Sequence, residues 1–102
     1  MITLVSGTDR VDSNTLKLTK YIQSLYQSLG QETQIIDLAQ VKPHMLSGPF
    51  YGGKNQPAEL QTWTQMVLDS DGLVMIVPEY NGSYPGILKY FIDHMKFPDS
   101  FE

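Results

Sequence analysis

The sequence predicts an α/β domain: a parallel sheet covered by helices on both faces. Three observations carry that expectation. Short runs rich in apolar and β-branched residues occur at 2–5, 33–38 and 73–77, and the first and last are nearly continuous, as in strands buried on both sides. Helical patterns with apolar residues on one face lie between and after these runs. The resulting order of strand, helix, strand, loop, helix, strand, helix requires right-handed crossovers between parallel strands.

The elements follow in order. Residues 2–5 are wholly apolar or β-branched and form the first strand. A polar stretch at 6–13 leads to a helix over 14–29, with Leu18, Ile22, Leu25 and Leu29 spaced as an inward stripe. Ser13 or Asp12 is placed to cap its start, and Gly30 suits a left-handed turn at its end. Residues 33–38 form the second strand, centred on Ile35 and Ile36. Pro43, Gly48, Pro49, Gly52 and Gly53 make 39–56 a long loop. Pro57 fits the first position of a second helix, with Glu59 in its first turn and Leu60, Trp63 and Val67 on its buried face; the helix ends near Asp71 and Gly72. Residues 73–77 (LVMIV) are the clearest buried strand. The turn at 78–83 then opens a third helix over 85–95, with Ile87 or Leu88, Phe91, Ile92 and Met95 inward and Lys89 and Lys96 outward. There is no internal repeat and no low-complexity tract.

Composition narrows the function. The 102 residues suffice for one domain, and 41% apolar with 18% charged residues is the balance of a folded globular protein. A net charge of −4 argues against non-specific nucleic-acid binding and against docking on anionic membranes. The chain has no cysteine, which excludes disulfides, thiolate metal sites and thiol nucleophiles and fits a reducing compartment. No apolar run reaches the length of a membrane span. The expected location is the cytoplasm, with no nucleic-acid or membrane partner.

In an open parallel sheet, ligands bind beyond the carboxyl ends of the strands. Two loops fall there. The first, S-G-T-D-R-V-D-S-N-T at 6–15, combines Gly7 for a tight turn, hydroxyls at Thr8, Ser13 and Thr15, the Asn14 amide and the Arg10 guanidinium. It opens onto a helix N-terminus, where unpaired N–H groups favour an anion. Three hydroxyls, an arginine and a glycine in one connection favour phosphate binding over a plain cap and surface turn. Asp9 and Asp12 oppose it unless they face solvent. The loop is neither G-x-G-x-x-G nor a Walker-type loop.

The second loop, P-E-Y-N-G-S-Y-P at 78–85, has Asn81 and Gly82, which tolerate positive φ, between Tyr80 and Tyr84. It suits a flat, hydrogen-bonding heterocycle; taken alone, the better reading is an ordinary strand-to-helix turn ending in a Ser83 cap before Pro85. Elsewhere, His44 and His94 are scattered and make no metal site. Asp69, Asp71 and Asp93 read as surface acids and Trp63 as core. Phe50, Tyr51 and Lys54 stand in the long loop, where they would cover a ligand or meet a partner.

The pair of motifs, G-T-x-R-x-x-S-N-T after the first strand and P-E-Y-N-G-S-Y-P-G-I-L-K-Y-F-I-D after the third, resembles the NADPH-dependent FMN reductase family, whose domain is flavodoxin-like. The resemblance implies that Thr8, Arg10, Ser13, Asn14 and Thr15 contact the FMN phosphate. It implies also that Pro78, Glu79, Tyr80, Asn81, Gly82 and Ser83 border the ribityl chain and the ring. The implied activity passes hydride from NADPH or NADH through FMN to a small acceptor. The flavin carries that chemistry, so no catalytic side chain is assigned, and Glu79 reads as a surface group or acceptor.

Members of that family continue into further strands. The chain is therefore expected to be one flavodoxin-like FMN-binding domain over 1–102, incomplete at its C-terminus, with strand order 2-1-3. It would lack the loop after a fourth strand that closes over the ring in relatives. Its third strand would be an open edge, so the 102 residues are expected to be either a fragment or truncated product or, if they are the whole polypeptide, a homo-oligomer joined through third strands or by exchange of elements. The alternative is a non-catalytic half-domain that acts by association or binds FMN weakly.

Overall fold

The computed structural model describes residues 1–46 and 56–95. Its sheet has three parallel strands in the order β2-β1-β3: β1 is Ile2–Ser6, β2 is Thr33–Asp37 and β3 is Gly72–Ile76. Leu4 lies level with Ile35 and Val74, and Val5 with Ile36 and Met75. Successive side chains on a strand alternate between faces, so these two rows define the two sides of the sheet. Leu4 and Val5 are both fully buried, as the apolar run at 2–5 requires of a central strand.

The helices are α1 (Asn14–Ser28), α2 (Pro43–Leu46), α3 (Ala58–Asp69) and α4 (Gly86–Asp93). Because β1 connects outward to β2 and then back to β3, right-handed crossovers place α1 and α3 on opposite faces. Val5, Ile36, Leu38, Val67, Leu88, Phe91 and Met95 form the core on the α3–α4 side, with Trp63, Met75, Ile87 and Ile92 packed against it. Trp63 meets Phe91 edge-on at 6.2 Å. The inward residues expected on α3 and α4 are thus in place, and Lys89 is outside, paired with Asp93.

Helix α1 turns a different face inward from the one its leucines suggest. Thr19 is its buried residue, its Oγ1 donating to Thr15 O at 2.7 Å. Leu18, Leu25 and Leu29 are 49%, 46% and 82% exposed, and Tyr21 lies with them in the open. Of the expected stripe only Ile22 is half-buried: a helix that covers a three-stranded sheet needs only a narrow inward face, and a small threonine lets it approach closely. Ser13 caps the helix, its Oγ accepting from Leu16 N at 2.9 Å, and Gly30 takes φ +77° after its end.

Three further expectations are corrected. Residues 39–56 are not one structureless loop: a 3₁₀ turn occupies Leu38–Gln40, capped by Asp37, and α2 begins at Pro43. Met45 of α2 is buried and its carbonyl accepts from Tyr90 Oη, which ties this segment to α4. Phe50, Tyr51, Lys54 and Lys96 lie outside the described residues. Pro57 stands one place before α3 rather than inside it, and the helix ends at Asp69. Ser83 does not cap α4; Pro85 precedes that helix and Ser83 pairs with Tyr80 instead.

Polar ties close the lower end of the sheet. Thr3 Oγ1 accepts from Gln34 Nε2 at 2.8 Å and meets Ser70 Oγ. The Met1 amino group holds Asp71 at 2.7 Å, and this bond keeps the Asp71 carboxyl below its ordinary range. The Glu59 carboxyl is lowered by a bond to its own backbone N–H at the start of α3, then by His44 at 2.9 Å. Lowered carboxylates favour the fold above the unfolded pKa and lose that contribution as pH falls through the lowered value. Both are exposed, so the contribution is small.

Candidate functional site

Both loops expected to carry chemistry lie at the carboxyl end of the sheet and touch each other. Gly7 continues the β1–β3 ladder, its N–H donating to Ile76 O at 2.9 Å. A Cβ on Gly7 would stand 2.9 Å from that same carbonyl oxygen, so only glycine lets the first loop leave β1 this close to β3. Thr8 Oγ1 then accepts from Arg10 N at 3.2 Å, a local turn of the Ser/Thr kind. It is also 2.6 Å from the Tyr80 hydroxyl of the second loop. The Arg10 guanidinium lies over the Tyr80 ring, 4.0 Å from its centroid, within the range of a cation–π contact.

The second loop reverses sharply. Tyr80 N donates to Ser83 O at 2.8 Å and Ser83 N to Tyr80 O at 3.1 Å, with Asn81 at φ +54° and Gly82 at +78°. Two consecutive left-handed residues between a mutually bonded pair is the signature of a type I′ turn. The expectation that this Asn-Gly pair adopts positive φ is met, and the turn fixes the direction of the Tyr80 side chain.

Between the loops is a cavity of about 380 Å³ lined by Arg10, Val11, Asp12, Ser13, Asn14, Thr15, Pro78 and Tyr80. Four residues expected around the phosphate, Arg10, Ser13, Asn14 and Thr15, line it together. Thr8 is fully enclosed beneath them. Of the ring-side set, Pro78 and Tyr80 line the cavity, whereas Glu79, Asn81, Gly82 and Ser83 are exposed beside it. Asp9 is exposed and outside the lining, while Asp12 is in it, held at φ +52°.

The electrostatics favour an anion on balance. The first turn of α1 contains no acidic residue, and its leading N–H groups have no partners within the helix. Ser13 Oγ accepts from Leu16 N and so keeps its own proton to donate. Directly before the loop, Ser6 Oγ is buried with no hydrogen-bond partner among the described residues. Two larger hollows, of about 500 and 420 Å³, open beside Met1 at the other end of the strands. Neither gathers an arginine or a helix N-terminus, and neither meets the carboxyl ends where such sheets bind ligands.

Two features went unread in the sequence. Val11, 76% exposed, lines the cavity with an apolar side chain that stands out in a polar loop and was overlooked. The Thr8–Tyr80 bond links positions 72 apart, a distance over which local pattern is silent.

A three-stranded parallel sheet with an anion-suited loop and an aromatic turn at its switch point defines a flavodoxin-like domain. The chain belongs to the NADPH-dependent FMN reductase family, whose model matches residues 1–102. It is 36% identical over 93 residues to an FMN reductase (NADPH) of Pseudomonas aeruginosa, covering 90% of this chain and 49% of that protein. It is 32% identical over 98 residues to an FMN-dependent NADPH-azoreductase of Staphylococcus saprophyticus, covering 94% and 52%. Among solved structures, an apo NADH:FMN oxidoreductase superposes with a TM-score of 0.78 at 27% identity, over 92% of this chain and 49% of that one. A flavoenzyme NAD(P)H:(acceptor) oxidoreductase of Paracoccus denitrificans gives 0.71 at 28%, over 99% and 54%. The chain thus spans about half the length of the relatives it matches.

Proposed function

We propose that the chain binds FMN in the cavity between its two loops and serves an oxidoreductase that moves reducing equivalents from NADPH or NADH to a small acceptor. The observation that carries this reading is the meeting of both loops in one cavity, joined by the Thr8–Tyr80 bond of 2.6 Å. The residues fit the head group: a guanidinium, a hydroxyl with its proton free and the start of α1 surround a space suited to a phosphate monoester. FMN held there would supply the redox chemistry, hydride acceptance and onward electron transfer.

The chain's own work is to bind and orient. Arg10 neutralises phosphate charge, and Ser13, Asn14 and Thr15 direct donors at its oxygens. Pro78 and Tyr80, with Glu79, Asn81, Gly82 and Ser83 beside them, border the ribityl chain and ring. No side-chain acid, base or nucleophile takes part. Purified protein should carry yellow FMN that bleaches with NADPH or NADH and recovers in air. A colourless protein that leaves the fluorescence of added FMN unquenched would overturn the reading in favour of a half-domain acting by association.

Asp12 works against the phosphate. Asp12→Asn keeps a residue that tolerates the left-handed conformation and removes the like charge. FMN affinity should rise about two- to fivefold with riboflavin affinity unchanged, measured by fluorescence titration.

Where these 102 residues are the whole polypeptide, the same reading gives them a second copy as partner. Among the described residues, β3 is paired only with β1, which leaves an open sheet edge. Light scattering after size-exclusion chromatography should give twice the monomer mass; a folded monomer that persists on dilution would refute the association. No helix among the described residues is long and apolar enough to cross a membrane. A chain without cysteine is suited to the reducing cytoplasm, where we place it.

A further inference from the structure

We infer that the flank of α1 carrying Leu18, Leu25 and Leu29 is the wall of a trough that receives a second helix, supplied by the polypeptide that makes up the other half of the relatives. The surface is separate from the flavin cavity and does not depend on it. Leu18 and Leu25 are about half exposed, and Leu29, just past the end of α1, is more exposed still. From Tyr21 to Gln31 the chain carries no charge, whereas a helix side that faces only water is ordinarily polar.

Geometry gives the flank its direction. With Thr19 against the sheet, the helical repeat sets Leu18, Leu25 and Leu29 about 80 to 120° round to one side. In a right-handed crossover from β1 to β2, that side is the one toward β3. Helix α1 lies chiefly over β1 and β2. Among the described residues it is the one helix on its face of the sheet, since α3 and α4 pack on the other. The β3 half of this face is thinly covered: Val74 is half-buried, while Leu4, level with it on β1, is fully buried. Val74 is thus the floor of the trough and the leucines are its wall. Two apolar sides at roughly a right angle call for a helix that is apolar over a broad arc. No helix among the described residues offers one: the apolar sides of α3 and α4 are buried in the core, and α2 is four residues long. The α1 of a second copy brings a single flank, because its inward face is held by its own sheet. The relatives are about twice as long as this chain, so in them a further stretch of similar length accompanies this surface.

The test co-expresses the 102-residue chain with the unmatched half of the Pseudomonas aeruginosa relative as a separate polypeptide, and reads mass by light scattering after size-exclusion chromatography. A one-to-one complex is expected, with or without flavin colour. Leu25→Asp puts a charge into the wall and should weaken that complex at least about tenfold. Ser24→Asp, on the side of α1 turned away from the trough, adds the same charge and should leave the complex as in wild type. Both positions are exposed in the free chain, so circular dichroism should show both variants folded. Leu29→Ala, a truncation at a side chain 82% exposed, spares the free fold and should weaken the complex about three- to tenfold. A complex as tight with Leu25→Asp or Leu29→Ala as with Ser24→Asp would place the occupant elsewhere and overturn the inference. So would wild-type halves that fail to associate, or a pairing of two 102-residue chains that Leu25→Asp breaks.

Discussion

Arg10→Ala is expected to weaken FMN binding by about 10- to 100-fold while riboflavin binding changes by less than about twofold. Among the described residues, Arg10 is the one cation in the cavity lining, and the chain around it carries a net charge of −4. A phosphate arriving there meets a mildly repulsive field overall, with Asp12 in the wall, so the local guanidinium must reverse the sign. Charge-assisted bonds are about twice as strong as neutral ones, which puts the loss above that of any single hydroxyl. Arg10→Lys should recover only part of the affinity, since a compact ammonium neither presents a planar fork nor stacks flat on Tyr80. Titration of both flavins against each variant decides the matter. An Arg10→Ala protein that still binds FMN as wild type does would show that the phosphate lies elsewhere.

The second large effect concerns stability. Phe91→Ala should destabilise the fold by roughly 3–5 kcal/mol. Phe91 is 1% exposed and meets Trp63 edge-on at the centre of the core shared by α3, α4 and the sheet. A chain of this length has about 5–15 kcal/mol in total by ordinary proportion. The melting temperature should therefore fall by about 15 °C or more, or folding should fail outright, as circular dichroism would register. Leu18→Ala supplies the contrast. Leu18 belongs to the stripe that spacing alone would bury, yet it is half exposed, and its removal should cost less than about 0.5 kcal/mol. Equal losses from the two variants would mean that another surface covers α1 in solution.

The contrast marks where the sequence was legible. The strands could be read because β1 and β3 are nearly continuous apolar runs; central β1 is buried from Thr3 to Ser6, whereas β3 at the edge is half-buried before Ile76 and Val77 lies exposed beyond it. Helix α4 could be read because Leu88, Phe91 and Met95 meet a broad core, so apolar spacing and burial agree. They part on α1, whose inward face is marked by Thr19 and whose leucines lie outside; periodicity gives a stripe but not its partner. Ser83 was read as a cap because it stands just before Pro85, and the Asn81-Gly82 reversal claims it instead. At the site, composition drew attention to both loops and the family resemblance named the ligand. That the loops touch is a consequence of β1 and β3 being neighbours. Which atoms touch depends on side-chain directions that no local pattern encodes.

The strand order has a consequence for how the molecule comes into being. Both hydrogen-bonding neighbours of Ile2–Ser6 lie later in the chain, the second only at Gly72–Ile76. During synthesis this strand emerges before either of its partners, and the chain as far as Ile76 must follow before the middle of the sheet can close. Such distant pairings are slow to form. Until they do, the central strand of the newborn protein waits unprotected, and a chaperone that shields it as it emerges would raise the yield more than a stabilising substitution on the surface.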